Sequence, residues 1–269
     1  MRGLTMEFGV FRIAIVERPS SAGDYHDVPI DLAEPRANDP LVRLRESGIA
    51  CESFYARTDG QNWPYGCRIE GSLSDVWARK LVAERLYKVN ALLRAYDAEV
   101  YVWDGYRPIE TQQGLWSFFW KQSGDSMPGA THDERRAHVI NYVSDPTRFR
   151  RSDRTTWPVH TSGGAVDLTL RSLVNGNLLD MGAAFDEMQP TSHSDSLERA
   201  CIAGQIDDHS DPLRNRRLLH WAMSEIGFVN YPLEFWHFDW GDQMYVHHLR
   251  LLGKAAPKAA WYGYVDAPS

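Results

Sequence analysis

The amino-acid sequence predicts one α+β domain spanning residues 1–269. Three observations lead there. Three segments carry helical periodicity, several short strand-like segments lie among them without regular strand–helix–strand alternation, and no linker or internal repeat divides the chain. Domains usually run to about 100–200 residues, so the length allows one large domain or two small ones, and the unbroken pattern favours one.

The elements follow in order. Residues 1–65 are rich in Pro, Asp and Gly with short apolar pieces, which reads as irregular structure with one or two strands; residues 1–70 form an N-terminal extension packed on the domain. From Ser74, a plausible N-cap, Val82, Leu86, Val89, Leu93 and Tyr96 fall at alternating spacings of four and three and make one helical stripe. "EVYVWDG" reads as a strand ending in a turn. Beyond Pro108, Leu115, Trp116, Phe119 and Trp120 recur at helical spacing to about Lys121. "THDE" has the form of a capping box, Thr131 with Glu134, opening a short helix. In "AVDLTL", Val166, Leu168 and Leu170 share one face while Asp167 takes the other, which predicts a half-buried strand with Asp167 on its non-core side. Asp211 as cap, Pro212 at the first helical position and Gly227 beyond Ile226 frame a third long helix.

Composition narrows the class. The chain is 43% hydrophobic, 24% charged and 12% aromatic with 10 Trp, enough apolar mass for a substantial core with aromatic-lined clefts. A formal charge of −7 argues against nucleic acid or an anionic membrane surface as the main partner, despite the local "RFRRSDR". The N-terminus lacks the pattern of a signal peptide, and no apolar run is long enough to span a bilayer. Cys51, Cys67 and Cys201 form no CxxC pair, so a reducing cytoplasm is expected.

The chemistry concentrates in two places. His160 and Asp167, in "HTSGGAVDLTL", are standard zinc ligand types. Seven residues apart on an unbroken strand they would point to opposite faces, and Gly163 with Gly164 permit the turn or bulge that unites them. Alone, the pair also fits a loop histidine and a solvent-facing aspartate. In "EFWHFDW", Pro232 and the period-two aromatics favour a strand, so Glu234 must sit in the turn leading in if it is to reach the same centre as His237. Together, two His and one Asp complete a three-ligand catalytic zinc site with a position open for water, and one carboxylate is left over. Metal-activated hydrolysis needs such a surplus carboxylate as proton carrier, and Arg107, held by Pro108 at a strand end, is a candidate to stabilise an oxyanion.

"WDGYRP", "HTSGGAVDLTL", "MGAAFDEM" followed by "SH", and "GFVNYPLEFWHFDWGDQ" resemble, in that order, the motifs of the D-alanyl-D-alanine dipeptidases of VanX type. These are zinc peptidases that share a fold with other DD-peptidases and the hedgehog signalling domain. The likeness covers Ser74 to Gln243. It implies a central, mostly antiparallel sheet flanked by helices and one zinc per chain, held by His160, Asp167 and His237. It also implies Glu234 as general base, Arg107 as stabiliser of the tetrahedral intermediate, and Asp186 as the carboxylate that pairs with the ammonium of a small dipeptide. His193 matches a family histidine and is expected at the rim or in a structural role.

The chain departs from the family pattern at Pro158 and Val159, where serines commonly precede the first histidine, so a hydroxyl donor is lost there. It is also longer, mostly at its N-terminus and around "FRRSDRTTWP", segments placed to reshape the cleft mouth. The expected activity is hydrolysis of D-Ala-D-Ala or a related D-amino-acid dipeptide in the cytoplasm. The alternatives are a DD- or LD-carboxypeptidase acting on longer cell-wall peptides, or a non-catalytic peptide-binding module.

Overall fold

A computed structural model describes residues 11–15, 23–140, 142–187 and 189–268. Strands β1 (Leu41–Arg43), β2 (Ala50–Cys51) and β3 (Trp77–Arg79) precede helix α1 (Lys80–Leu93) and strand β4 (Ala98–Asp104). Helices α2 (Ile109–Ser126) and α3 (His132–Val139) follow, then β5 (Ala165–Ser172), α4 (Ser196–Ile202) and α5 (Asp211–Glu225). The chain closes through β6 (Val229–Asn230), β7 (His237–Asp239) and α6 (Gln243–Leu251). β1 and β3 form an antiparallel pair, and the central sheet runs β2-β4-β5-β7-β6, antiparallel except where β2 lies parallel to β4. This is the mostly antiparallel α+β architecture anticipated above.

Several element boundaries differ from expectation, each for a local reason. The first helix begins at Lys80, not near Ser74, because Trp77–Arg79 is drawn into pairing with Leu41–Arg43, and Arg79 holds the cap position. Tyr96 lies in the 3-10 turn that ends at Asp97 in a left-handed conformation. Ser210 caps α5, so Asp211 is its first helical residue, beside Pro212; Gly227 adopts φ 88° just beyond the end. α2 runs on to Ser126, and the Thr131–Glu134 capping box is formed. β5 is buried on both faces through Leu170 rather than half-buried.

One face of the sheet carries Val100, Val102, Val166, Leu168 and Leu170 into a core closed by α1 and α5, where Leu86, Leu93 and Leu219 have at most 1% exposure. Each such side chain contributes about 1.5–3 kcal/mol by leaving water. The other face is aromatic. Trp103 shares one buried cluster with Phe54, Tyr65, Leu115, Trp116 and Phe119, so α2 and the N-terminal segment cover the sheet on that side. The register aligns Asp104, Asp167 and His237 across three neighbouring strands, with an irregularity in β4 between Val102 and Asp104. A row of polar residues thus crosses the non-core face of an otherwise apolar sheet.

Candidate metal centre and its cavity

His160 lies in a 3-10 turn, Val159–Ser162, directly before β5. Gly163 ends that turn at φ 72°, and a Cβ on it would stand 2.7 Å from Leu41 Cδ2. The backbone therefore reverses before the strand starts, which resolves the parity conflict between His160 and Asp167. Glu234 sits in the turns leading into β7, its N–H donating to Tyr231 O at 3.1 Å, so it escapes strand parity and faces the same space as His237.

The geometry around the three candidate donors is tight. His160 Nε2 stands 3.3 Å from His237 Nδ1 and 3.4 Å from Asp167 Oδ2, and His237 Nδ1 stands 3.0 Å from Asp167 Oδ1. Three donors each ~2.0–2.1 Å from one tetrahedral ion would stand about 3.3 Å apart. The outward nitrogens are already engaged: His160 Nδ1 lies 2.8 Å from Gly105 O, and His237 Nε2 lies 2.9 Å from Asp239 Oδ1. Such contacts fix ring orientation and leave the inward nitrogens for a metal. His160, Asp167 and His237 are buried and form a group able to hold an ion, so the donor set fits zinc.

Arg107 reaches the same place. Its Nε donates to Asp104 Oδ2 at 2.8 Å, Nη1 to Gln112 Oε1 at 3.0 Å, and Nη2 to Asp167 Oδ2 and Tyr55 Oη at 3.3 Å each. Tyr55 Oη also donates to Asp186 Oδ2 at 3.2 Å, and Tyr65 Oη donates to the same oxygen at 2.5 Å. Asp186 sits in a turn at φ 63°, a backbone region that Asp and Asn tolerate better than most residues. Arg107, His160, Asp167, Asp186, Glu234 and His237 all line one cavity of about 380 Å³. His193 is not part of that lining.

Asp145, Asp167, Asp186 and Glu234 line the cavity together with Arg107, Arg136 and Arg148, and Asp104 holds Arg107. Burial pushes Asp104 and Asp186 up to about 6 and Glu234 up to about 7, with neighbouring carboxylates adding to the effect. Burial and the Arg107 guanidinium push His160 down to about 3, so its ring stays neutral with a lone pair free. Burial disfavours the His237 cation, yet Asp239 and Asp167 outweigh it and hold its proton affinity high.

Sequence reasoning missed Tyr55 and Tyr65, Asp104, and Asp239 behind His237. The tyrosines lie in the aperiodic N-terminal quarter, where no spacing signal could flag them. Asp104 and Asp239 were visible as acids two to three residues from a singled-out residue, within "WDGYR" and "HFD".

The profile of the peptidase family described as D-Ala-D-Ala dipeptidase matches residues 74–251. The chain belongs to that family. As a member of the D-Ala-D-Ala dipeptidase family it is a metallopeptidase. The D-alanyl-D-alanine dipeptidase of Synechocystis sp. is 28% identical over 173 residues, covering 62% of this chain and 70% of its own. That of Streptomyces coelicolor is 30% identical over 196 residues, covering 71% and 86%. A solved structure of the vancomycin-resistance D,D-pentapeptidase VanY in complex with Zn(II) aligns at 16% identity and a TM-score of 0.39, covering 71% of this chain and 88% of that one. Among the described residues, no helix of this family member is long and apolar enough to cross a membrane.

Proposed function

We propose that the chain is a zinc-dependent dipeptidase that hydrolyses D-Ala-D-Ala or a related D-amino-acid dipeptide, with one zinc per chain. The observation that carries this reading is the convergence of three donors at ligand spacing, a spare carboxylate, a guanidinium and an ammonium-binding acid in one cavity. His160, Asp167 and His237 would hold the zinc, which when bound supplies Lewis acidity toward water and the scissile carbonyl. Glu234 Oε2 lies 3.9 Å from His237 Nδ1, close enough to take the attacking water's proton and return it to the leaving amine. Its proton affinity near neutrality suits both transfers. Arg107, clamped by Asp104 and Gln112, puts its guanidinium charge beside the carbonyl oxygen as negative charge develops there.

Asp186 sets the substrate class. A buried carboxylate with two tyrosine hydroxyls fixed on it is a receptor for an α-ammonium, which favours a free N-terminus over an internal residue of a longer peptide. The segment that carries Tyr55 and Tyr65 belongs to the catalytic domain, because both close on Asp186 from outside the family match. Three free cysteines suit a reducing cytoplasm, where cell-wall fragments could be recycled.

Product analysis on a stereochemically defined panel of D,D, L,D and L,L dipeptides, with zinc-loaded protein, tests the reading. Release of free amino acids from a D,D-dipeptide is the expected result, and none from any member, beside an active control dipeptidase, would sink it. Acetylating the peptide N-terminus should abolish cleavage; unimpaired cleavage would point to a carboxypeptidase instead.

A further inference from the structure

The N-terminal segment and the segment "FRRSDRTTWP" both contribute to the cavity lining. The turn Gly23–Asp27 supplies Tyr25, and residues 149–158 supply Thr155, Thr156 and Pro158, the last immediately before Val159. The first is tied to α6, where Gln243 Nε2 donates to His26 O at 3.1 Å and to Val28 O at 2.7 Å, and the second is tied to the first, where Arg154 Nη1 donates to Ile30 O at 2.6 Å. Tyr25, Tyr231 and Met244 are buried together as an apolar cluster, with Val159 and Leu233 packed against it, and all five line the cavity.

This cluster and the ammonium site reach the metal centre through different neighbours, Tyr231 for the one and Tyr55 with Arg107 for the other. The contacts run in a chain: Asp186 to Tyr55 (3.2 Å), Tyr55 to Arg107 (3.3 Å), Arg107 to Asp167 (3.3 Å), Asp167 to His237 (3.0 Å). The Tyr231 ring then lies 5.9 Å from the His237 ring, edge-on. A dipeptide whose ammonium sits on Asp186 and whose carbonyl lies at the metal therefore directs its C-terminal side chain toward Tyr25, Val159, Tyr231, Leu233 and Met244. Beside His160 this wall presents valine and proline. The whole cavity, metal donors and Asp186 included, is about 380 Å³, and Arg148, Thr155 and Thr156 line it beside these apolar residues.

We propose that the preferred substrate carries a large apolar residue, of leucine or phenylalanine size, at its C-terminal position, with Tyr25, Val159, Leu233 and Met244 as the specificity-determining wall. The proposal rests on the dipeptidase reading and narrows its substrate class. Each methylene accepted by such a pocket is worth roughly tenfold or more in specificity.

The test compares D-Ala-D-Ala, D-Ala-D-Leu and D-Ala-D-Phe on the zinc-loaded full chain. kcat/KM is expected at least tenfold higher for the leucine or phenylalanine peptide than for D-Ala-D-Ala; equal or lower values overturn the proposal. In Met244→Ala and Leu233→Ala that ratio should fall toward one. Because the ratio is taken on a single preparation, partial unfolding does not alter it, and an unchanged ratio in both variants also overturns the assignment. Calorimetric binding of the same peptides to Glu234→Ala reads the pocket without turnover. Tighter binding of the larger peptides beside an inactive wild type would overturn the dipeptidase reading and leave this wall standing; equal binding would remove the wall.

Discussion

Asp239, fully buried, accepts a hydrogen bond from His237 Nε2 across 2.9 Å. That contact assigns the proton to the outward nitrogen and turns Nδ1 toward Asp167. In Asp239→Asn the shape is kept but the charge that steadies the ring is gone. Zinc affinity should drop by about 10- to 100-fold, as for other carboxylates behind metal-bound histidines. Competition against a chelator of known affinity measures it, and an unaltered affinity would show that the ring is oriented by something else.

Asp186 gives a pH dependence with a definite sign. Burial holds its proton up to about 6 in the folded state, whereas an unfolded aspartate releases it near ~3.9. Only the ionised form pairs with an ammonium, so KM for a free dipeptide should rise as pH falls through about 6. Asp186→Asn should remove that acid limb and raise KM at least tenfold at neutral pH. A variant that keeps the wild-type KM profile would exclude Asp186 from substrate binding.

The same residue links activity to stability. Between about pH 4 and 6 the folded chain binds the Asp186 proton and the unfolded chain does not, so this group's contribution is full below ~3.9 and is lost as pH rises through about 6. Asp186→Asn should therefore be more stable than wild type at pH 7–8, by on the order of 2–3 kcal/mol at most, and asparagine tolerates the φ of 63° there. Thermal unfolding at pH 4 and pH 8 checks it: a difference of equal size at both would contradict the linkage.

Glu234→Gln should leave bound zinc stoichiometric while cutting kcat by about 10²- to 10⁴-fold. The side chain stands 3.9 Å from His237 Nδ1, outside the three-donor set, and an amide of the same shape cannot carry the proton. Metal analysis paired with turnover on one preparation distinguishes a lost base from a lost ligand.

Arg107→Lys should lower kcat by about 10²- to 10³-fold with a smaller change in KM. An ammonium cannot hold Asp104 and Gln112 while still presenting a donor to the reacting oxygen, as the guanidinium fork does. Steady-state kinetics separate the two parameters, and a pure KM effect would reassign Arg107 to substrate binding.

Much of the fold was legible because its signals are local. The stripe from Val82 to Leu93, the Thr131–Glu134 box and the Pro212–Gly227 frame each depend on residues within one helix. The start of α1 was not legible, since Trp77–Arg79 becomes a strand only by pairing with residues 41–43. The six residues singled out for chemistry line one cavity because their motifs sit at strand ends and turns that the sheet register brings into line. Tyr55, Tyr65 and Tyr25 escaped notice for the opposite reason: they reach the cavity through long-range packing, and single tyrosines in an aperiodic segment carry no spacing signal.

The donor atoms of His160 and His237 meet across 77 residues of chain, and those of Asp167 and His237 across 70. Closing loops of that length is an entropic cost met only when β7 docks beside β5. Until β7 pairs with β5, only His160 and Asp167 of the three donors are near neighbours along the chain, so the full donor set exists only once that long-range pairing of the sheet is made.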